Sequence, residues 1–170
     1  MISFVAAEAS VAVEIDGRAL DLMHRAARQA DRRETGGILI GRYTEFGDRV
    51  CVVEATDAPP DSRSLPVAFV RGVVGLTRRL RLAWDRGLYY VGEWHYHPYA
   101  SAEPSGRDLT QIVDFSRDAR YRCPNPTLVV VGGNPNQAPT ASVHVVLDGA
   151  VVPLCEVVGE KGRSACAGGA

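Results

Sequence analysis

The stretch His95-Tyr96-His97-Pro98, followed closely by Ser105 and Asp108, holds the residues of this chain best suited to metal chemistry. Two imidazoles and one carboxylate are three ligands of the kinds that zinc accepts, one short of a closed tetrahedron. A structural zinc site fills all four positions with protein, whereas a catalytic site leaves one position for water. The spacing therefore predicts a catalytic zinc site built from two histidines and an aspartate.

The two histidines need a strand that presents them together. The run Tyr89 to Trp94 is rich in aromatic and β-branched residues, and it predicts a strand that continues into the motif. Side chains alternate between the faces of a strand, so His95 and His97 are expected on one face, roughly 7 Å apart. Trp94 and Tyr96 are then expected on the opposite face. Proline has no amide hydrogen to donate, so the chain should leave the sheet after the second histidine.

The carboxylate needs a helix that returns to this strand. Ser105 to Asp108 has the pattern of a helix start, with Ser105 at the N-cap and Asp108 at the third helical position. An ordinary capping pair is the commoner explanation of Ser-x-x-Asp, and His-x-His alone is a weak signal. Joined at this spacing, with a proline after the second histidine, the two motifs favour a metal site.

Hydrolysis by a zinc-bound water also needs a base to accept a proton. Glu34 opens the run Glu34-Thr35-Gly36-Gly37, which precedes the apolar segment Ile38 to Ile40 that predicts a buried strand. The glycines allow the backbone to pass close to neighbouring elements. From spacing alone, a solvated charge after Arg32 and Arg33 is the better explanation of Glu34, and nothing selects it over Glu93.

Taken together, these residues resemble the JAMM signature of the JAB1/MPN/Mov34 metalloprotease family. Members with this signature are zinc isopeptidases that release ubiquitin or ubiquitin-like proteins from conjugates. The resemblance implies that His95, His97 and Asp108 bind one Zn²⁺ per chain. It also implies that Glu34 is the general base and that Ser105 donates a hydrogen bond to the tetrahedral intermediate.

The resemblance covers about 19–147, and the run Gly92-Glu93-Trp94-His95 is most similar to the stand-alone bacterial branch. One departure is Tyr96, where many members have Ser or Thr. Because this side chain should face away from the metal, we expect little effect on zinc binding. The motif assigns no residue to substrate binding, but in the family a segment at the position of the Pro-rich loop Ala55 to Pro66 can contact the released modifier.

The function that the resemblance implies is cleavage after the C-terminal glycine of a ubiquitin-like modifier conjugated to a target. The implied partners are that modifier and its conjugates, with a functional link to activating and conjugating enzymes in an anti-phage defence operon. Two alternatives stay open. A processing protease would use the same site to trim a ubiquitin-like or sulfur-carrier precursor. A non-catalytic MPN-type scaffold is disfavoured, because scaffold members typically lack some of these five residues.

Composition limits the other functions and partners that the chain could have. The chain has 170 residues and a formal net charge of −1, with no basic excess that would indicate a nucleic-acid partner. No apolar run approaches a membrane span and the start lacks a signal core, so we expect a cytoplasmic protein without a membrane partner. We expect one domain over 1–158, and the small, polar run 159–170 predicts a flexible C-terminal tail.

The predicted elements give the fold class. Strands are predicted at 11–15, 36–43, 49–55, 89–96, 127–132, 141–147 and 150–154, and helices at 17–31, 69–86 and 105–119. Helices and strands neither alternate strictly nor cluster, which indicates the α+β class. The family resemblance implies a curved, mostly antiparallel sheet flanked by helices, a JAB/MPN-like fold with a cytidine-deaminase-like core. It places the zinc at the edge of that sheet.

Overall fold

The computed structural model of the chain describes residues 1–6, 11–44, 48–137 and 139–157. The tail predicted over 159–170, and the end of the predicted domain at residue 158, lie outside these ranges. The elements in chain order are β1 (Ile2–Val5), β2 (Ala12–Ile15), α1 (Gly17–Ala30), β3 (Thr35–Tyr43), β4 (Arg49–Ala55), β5 (Arg63–Leu65), β6 (Ala68–Val70), α2 (Leu76–Trp84), β7 (Tyr89–Pro98), α3 (Gly106–Arg117), β8 (Thr127–Gly133), β9 (Thr140–Leu147) and β10 (Ala150–Glu156).

Eight of these strands close into one barrel, in the order β1-β10-β9-β8-β7-β3-β4-β2. Neighbouring strands run antiparallel, except that β2 is parallel to β4 and β7 is parallel to β8. The combination of helices with a largely antiparallel sheet agrees with the prediction, but the curved sheet is closed. The expected position of the site at a sheet edge is therefore wrong. The strand of the histidines, β7, is paired on both sides, with β3 and with β8.

The sheet buries apolar side chains on both of its faces. One face packs against α1, and its core includes Met23, Leu39, Val52, Trp94, Tyr96, Val129, Val131, Val143 and Val145. Alternate residues of the same strands lie on the opposite face, with Ile38 and Ile40 in the cluster that includes α2, and Leu128 and Val130 in the cluster that includes α3. We call these the α1 face and the α3 face. This arrangement lets a residue of α3 meet the side chains of β7 that point away from α1.

The segment between β4 and β7 differs from the prediction. The helix expected over 69–86 begins only at Leu76, because Gly75 has a φ of 85°, a backbone conformation that favours glycine. The Asp61 carboxylate also accepts hydrogen bonds from the amides of Val73 and Val74, at 2.9 and 3.0 Å, which holds the chain out of a helix there. The residues before this bend form β6, which pairs with β5 as a separate two-stranded sheet. The expected loop over 55–66 therefore contains a strand.

Candidate metal centre

The alternation of β7 presents the two histidines as expected. His95 and His97 are both buried, and they lie on the α3 face of the sheet. Trp94 and Tyr96 are fully buried on the α1 face, and the Tyr96 hydroxyl donates to the Asp31 carbonyl at 2.9 Å. The tyrosine that replaces the usual Ser or Thr between the histidines thus points away from them. The strand ends at Pro98, where the missing amide hydrogen was expected to end it.

The start of α3 carries the aspartate to the histidines. Ser105 is the N-cap of this helix, and its hydroxyl accepts a hydrogen bond from the Asp108 amide at 3.3 Å. In return, the amide and the hydroxyl of Ser105 both donate to Asp108 Oδ2, each at 2.7 Å. These bonds form a capping box, which fixes the Asp108 carboxylate at the end of the helix that faces β7. The capping explanation of this motif is confirmed, and the same hydrogen bonds place the Asp108 carboxylate where the metal explanation requires it.

His95, His97 and Asp108 form one buried cluster. His95 Nδ1 lies 2.6 Å from Asp108 Oδ1, and His97 Nε2 lies 3.2 Å from Asp108 Oδ2. One potential ligand atom from each residue lies within 4.8 Å of the other two. Burial alone would raise the pKa of Asp108, but the hydrogen bonds to His95, His97 and Ser105 outweigh it and hold that pKa well below its usual range. The carboxylate therefore stays charged, as a metal ligand must.

The donor set of this cluster fits a zinc ion. It consists of two imidazoles and one carboxylate, and all three side chains are buried among neighbours that hold them in place. His95 Nε2 is fully buried without a hydrogen-bond partner among the described residues, so its lone pair or proton is unmatched by protein. A buried ring nitrogen without a protein partner is consistent with a ligand role.

A pocket of about 390 Å³ opens on one side of the cluster. Its lining comes from four parts of the chain: Glu34, Pro66, Val67, Ala68, Phe69, His97, Pro98, Ala100, Ser105, Arg107 and Asp108. Three candidate ligands with an open side match the pattern of a catalytic rather than a structural metal site. All five residues of the predicted site, including Glu34 and Ser105, therefore meet at the cluster or at this pocket.

Comparison with known proteins shows the family to which the chain belongs. A family model described as prokaryotic homologs of the JAB domain matches residues 17–145, which is more than half of the chain. The chain belongs to this family. A relative from Enterobacter hormaechei subsp. hoffmannii (strain UCI 50), named CD-NTase/cGAS isopeptidase, is 38% identical over 144 residues, which cover 85% of this chain and 80% of the relative. The solution structure of protein DSY2949 from Desulfitobacterium hafniense matches the fold with a TM-score of 0.63 at 20% identity, covering 83% of this chain and 88% of that one.

Two glutamates of this JAB domain, Glu34 and Glu93, are candidates for a general base, and their surroundings differ. Glu34 precedes β3 directly and lines the pocket, half-buried. Burial raises its pKa above the ordinary value of 4.5, and the charge of Asp108 adds to this rise while His97 opposes it. Glu93 is almost completely buried and does not line the pocket, and Arg71 and the Tyr90 hydroxyl bind its two oxygens at 2.7 and 2.8 Å. Only Glu34 combines access to the pocket with a carboxylate free of an ion-pair partner among the described residues.

The pocket wall was not foreseen by the sequence analysis. The expected substrate loop contributes only Pro66 to the lining, and the wall continues through Val67, Ala68 and Phe69 of the β5–β6 hairpin. The Phe69 ring meets the His95 ring edge-on, with 5.7 Å between the ring centres. The sequence around Phe69 does not predict this contact with His95, because the contact depends on how the hairpin folds back.

No helix among the described residues has the length and apolar character that crossing a membrane requires.

Proposed function

We propose that this JAB domain is a zinc-dependent isopeptidase that cleaves after the C-terminal glycine of a ubiquitin-like modifier conjugated to a target protein. The observation that carries the proposal is the meeting of Glu34 and Ser105 with the His95, His97 and Asp108 cluster at one pocket. The Enterobacter relative is named an isopeptidase, which supports the same class of bond here. We further propose a cytoplasmic enzyme linked to activating and conjugating enzymes in anti-phage defence.

In this proposal His95, His97 and Asp108 hold the ion. Bound zinc would polarise the scissile carbonyl and lower the pKa of a water molecule to about 7. Glu34 accepts a proton from the attacking water and passes it to the leaving lysine amine. Its raised pKa suits both steps, since a general base works best when its pKa lies closer to the operating pH.

Ser105 has a role that its present contacts constrain. Its hydroxyl donates to Asp108 Oδ2 at 2.7 Å, and a hydroxyl has only one proton to donate. For Ser105 to donate to the tetrahedral intermediate, it must therefore release Asp108. A metal ion held by Asp108 would favour this release, because the carboxylate would then share its electrons with the ion. Ser105 lines the pocket, so its released hydroxyl would be available to donate there.

The substrate reaches the site as an extended tail with small residues at its end. Among the described strands, the closed barrel offers no free edge for such a tail to join. The β5–β6 hairpin, by contrast, is a separate two-stranded sheet, and among the described residues no further strand pairs with the outer edge of β6. Its residues 66–69 line the pocket, so we propose that the modifier tail adds to this hairpin and lays its terminal glycine beside the cluster.

The test compares wild type with Glu34→Gln in two measurements, zinc content and cleavage of a modifier–lysine isopeptide. The substrates to be tried are a ubiquitin-like protein sought among the neighbouring genes, joined to a lysine, and a conjugated CD-NTase, which the name of the relative suggests. Both proteins should hold one zinc, and the variant should cleave about 10²- to 10⁴-fold more slowly, the usual contribution of a general base. Glu54→Gln, at an ion pair away from the pocket, is the matched control.

Each other result has a definite meaning. Absence of zinc from the wild type would refute the proposal. Cleavage of an extended precursor but of no conjugate would make the protein a processing protease. One zinc per chain with no cleavage of either substrate would indicate a non-catalytic scaffold. Loss of zinc in Glu34→Gln would move Glu34 into the ligand set.

A further inference from the structure

The β5–β6 hairpin covers the metal cluster without being part of the barrel. Its strands hydrogen-bond to each other and form a separate sheet. Phe69 nevertheless packs edge-on against His95, and a Cβ added at Gly36 would lie 2.9 Å from the Phe69 ring. The position of this hairpin therefore decides the shape of the pocket, and contacts outside its own ladder must set that position.

One such contact joins the hairpin to the residue that carries the proposed base. The amide of Glu34 donates to the carbonyl of Leu65, the last residue of β5, at 2.8 Å. A shift of the hairpin would pull on the Glu34 backbone through this bond. The end of β5 and the base are thus mechanically connected.

The second contact lies just past the other end of the hairpin. Arg71 follows β6 directly, and its Nε donates to Glu93 Oε2 at 2.7 Å. The side chains of Arg71 and Glu93 are only 5% and 2% exposed. The Tyr90 hydroxyl binds the other Glu93 oxygen at 2.8 Å, and Arg71 Nη2 donates to the Tyr121 hydroxyl at 3.2 Å. The ion pair is thus enclosed and held from several sides.

Stabilisation of the fold is a poor explanation for the presence of this ion pair. Two well-packed apolar side chains in such a place are often as stabilising as a buried ion pair, or more so, because both charges lose their water. An ion pair differs from apolar packing in its directionality, since the guanidinium plane and the carboxylate must be aligned. Glu93 lies two residues before His95 on β7, so the pair ties the hairpin to the strand that carries the ligands.

We propose that the Arg71–Glu93 ion pair is a latch that positions the hairpin against β7, and through the hairpin positions Glu34 and Phe69 over the metal ligands. Arg71 and Glu93 are positioning residues, since neither lines the pocket. The effect on turnover rests on the proposed function, whereas the effect on the hairpin can be measured without substrate.

The test uses the zinc-loaded full chain with Arg71→Met, Glu93→Gln and the double variant. The readouts are hydrogen exchange at the Glu34 amide, Tm, zinc content, kcat and KM. Each single variant should exchange the Glu34 amide faster and lose kcat by about ten- to a hundredfold, as expected of a misplaced catalytic group. Zinc content should stay at one per chain. Arg86→Met, which breaks an exposed ion pair with Glu54, should change none of these.

The double variant separates positioning from stability. Removing both charges leaves no buried charge unpaired, so Tm should recover relative to the single variants, while kcat and the exchange of Glu34 should not recover. Recovery of kcat together with Tm would overturn the latch, because the pair would then be only structural. Unchanged Glu34 exchange in both single variants would also overturn it. If zinc-loaded wild type cleaves no conjugate but Arg71→Met speeds Glu34 exchange, the latch stands and the proposed function fails.

Discussion

Replacement of Gly36 by alanine tests how closely β3 must approach the metal ligands. Gly36 pairs with His95, and a Cβ built on it would lie 2.3 Å from the Trp94 carbonyl oxygen and 3.0 Å from His95 Cδ2. Its φ lies outside the left-handed region, so alanine is acceptable to the backbone and only the space is lacking. Ordinary contact begins at 3.4 Å, so the methyl group and the oxygen must move apart by about 1.1 Å.

That displacement sets the expected magnitudes. Forcing a methyl group into a packed site typically costs about 1–3 kcal/mol, which lowers Tm by about 2–4 °C per kcal/mol in a chain of this size. A misplacement of about 1 Å at a catalytic group costs about a hundredfold in rate. We therefore expect Gly36→Ala to fold, to melt several degrees lower, and to lose about a hundredfold in kcat/KM.

The assay is thermal unfolding beside single-turnover cleavage, with Gly17→Ala as the control. Gly17 is the first residue of α1, and a Cβ there meets no atom within 4 Å. The control should keep full activity and gain less than about 1 kcal/mol, through the restricted unfolded chain. Wild-type Tm and wild-type activity in Gly36→Ala would refute the reasoning, since the strands would then have room that the structure denies them.

Three further predictions concern the ligands and pH. His97→Ala should lose both zinc and turnover, because two ligands hold the ion weakly, and stoichiometric zinc in that variant would show that the ligands are misassigned. The rate should fall on acidification, because burial raises the pKa of Glu34 above 4.5 and because imidazoles must be neutral to bind metal, so a flat profile down to about pH 5 would contradict the mechanism. In the metal-free chain, the hydrogen bond to Asp108 raises the pKa of His97 above 6.5. Its contribution to stability should be complete below pH 6.5 and lost as pH rises through the raised pKa, so the Tm advantage over His97→Gln should shrink as pH rises above 6.5. An advantage that grows over this range would contradict the assignment.

The cluster of candidate ligands could be predicted because its residues come from one short stretch of chain. His95, His97 and Asp108 are joined by a strand, a loop and a capped helix start, and each of these has a local sequence signal. Glu34 has no such signal. It reaches the pocket because β3 pairs with β7 so that Gly36 lies opposite His95, a register formed across 59 residues of sequence. Only the family resemblance identified Glu34, since local spacing carries no information about that pairing.

The closed barrel and the hairpin could not be predicted for a related reason. Closure depends on β1, a strand of four residues, which pairs with β10 from the other end of the described chain. The hairpin strands β5 and β6 have three residues each, too few for an alternating pattern. The sequence does contain one sign against the start of the helix predicted over 69–86. Gly72 and Gly75 lie within that range, and glycine inside a helical pattern makes a helix less favourable.

The bulge at Gly92 allows β7 to carry Tyr90 on the same face as the two histidines. Gly92 has a φ of 150°, and a Cβ there would lie 1.8 Å from the Thr127 carbonyl oxygen, so only glycine fits. The register with β3 shifts at this point, so that Leu39 lies opposite Gly92 but Ile40 lies opposite Tyr90. Strict alternation would place Tyr90 on the face opposite Glu93, yet its hydroxyl binds Glu93 at 2.8 Å. The irregularity thus brings a tyrosine to the same face as the histidines, where it supports the proposed latch, while the rest of the strand keeps the alternation that presents the metal ligands.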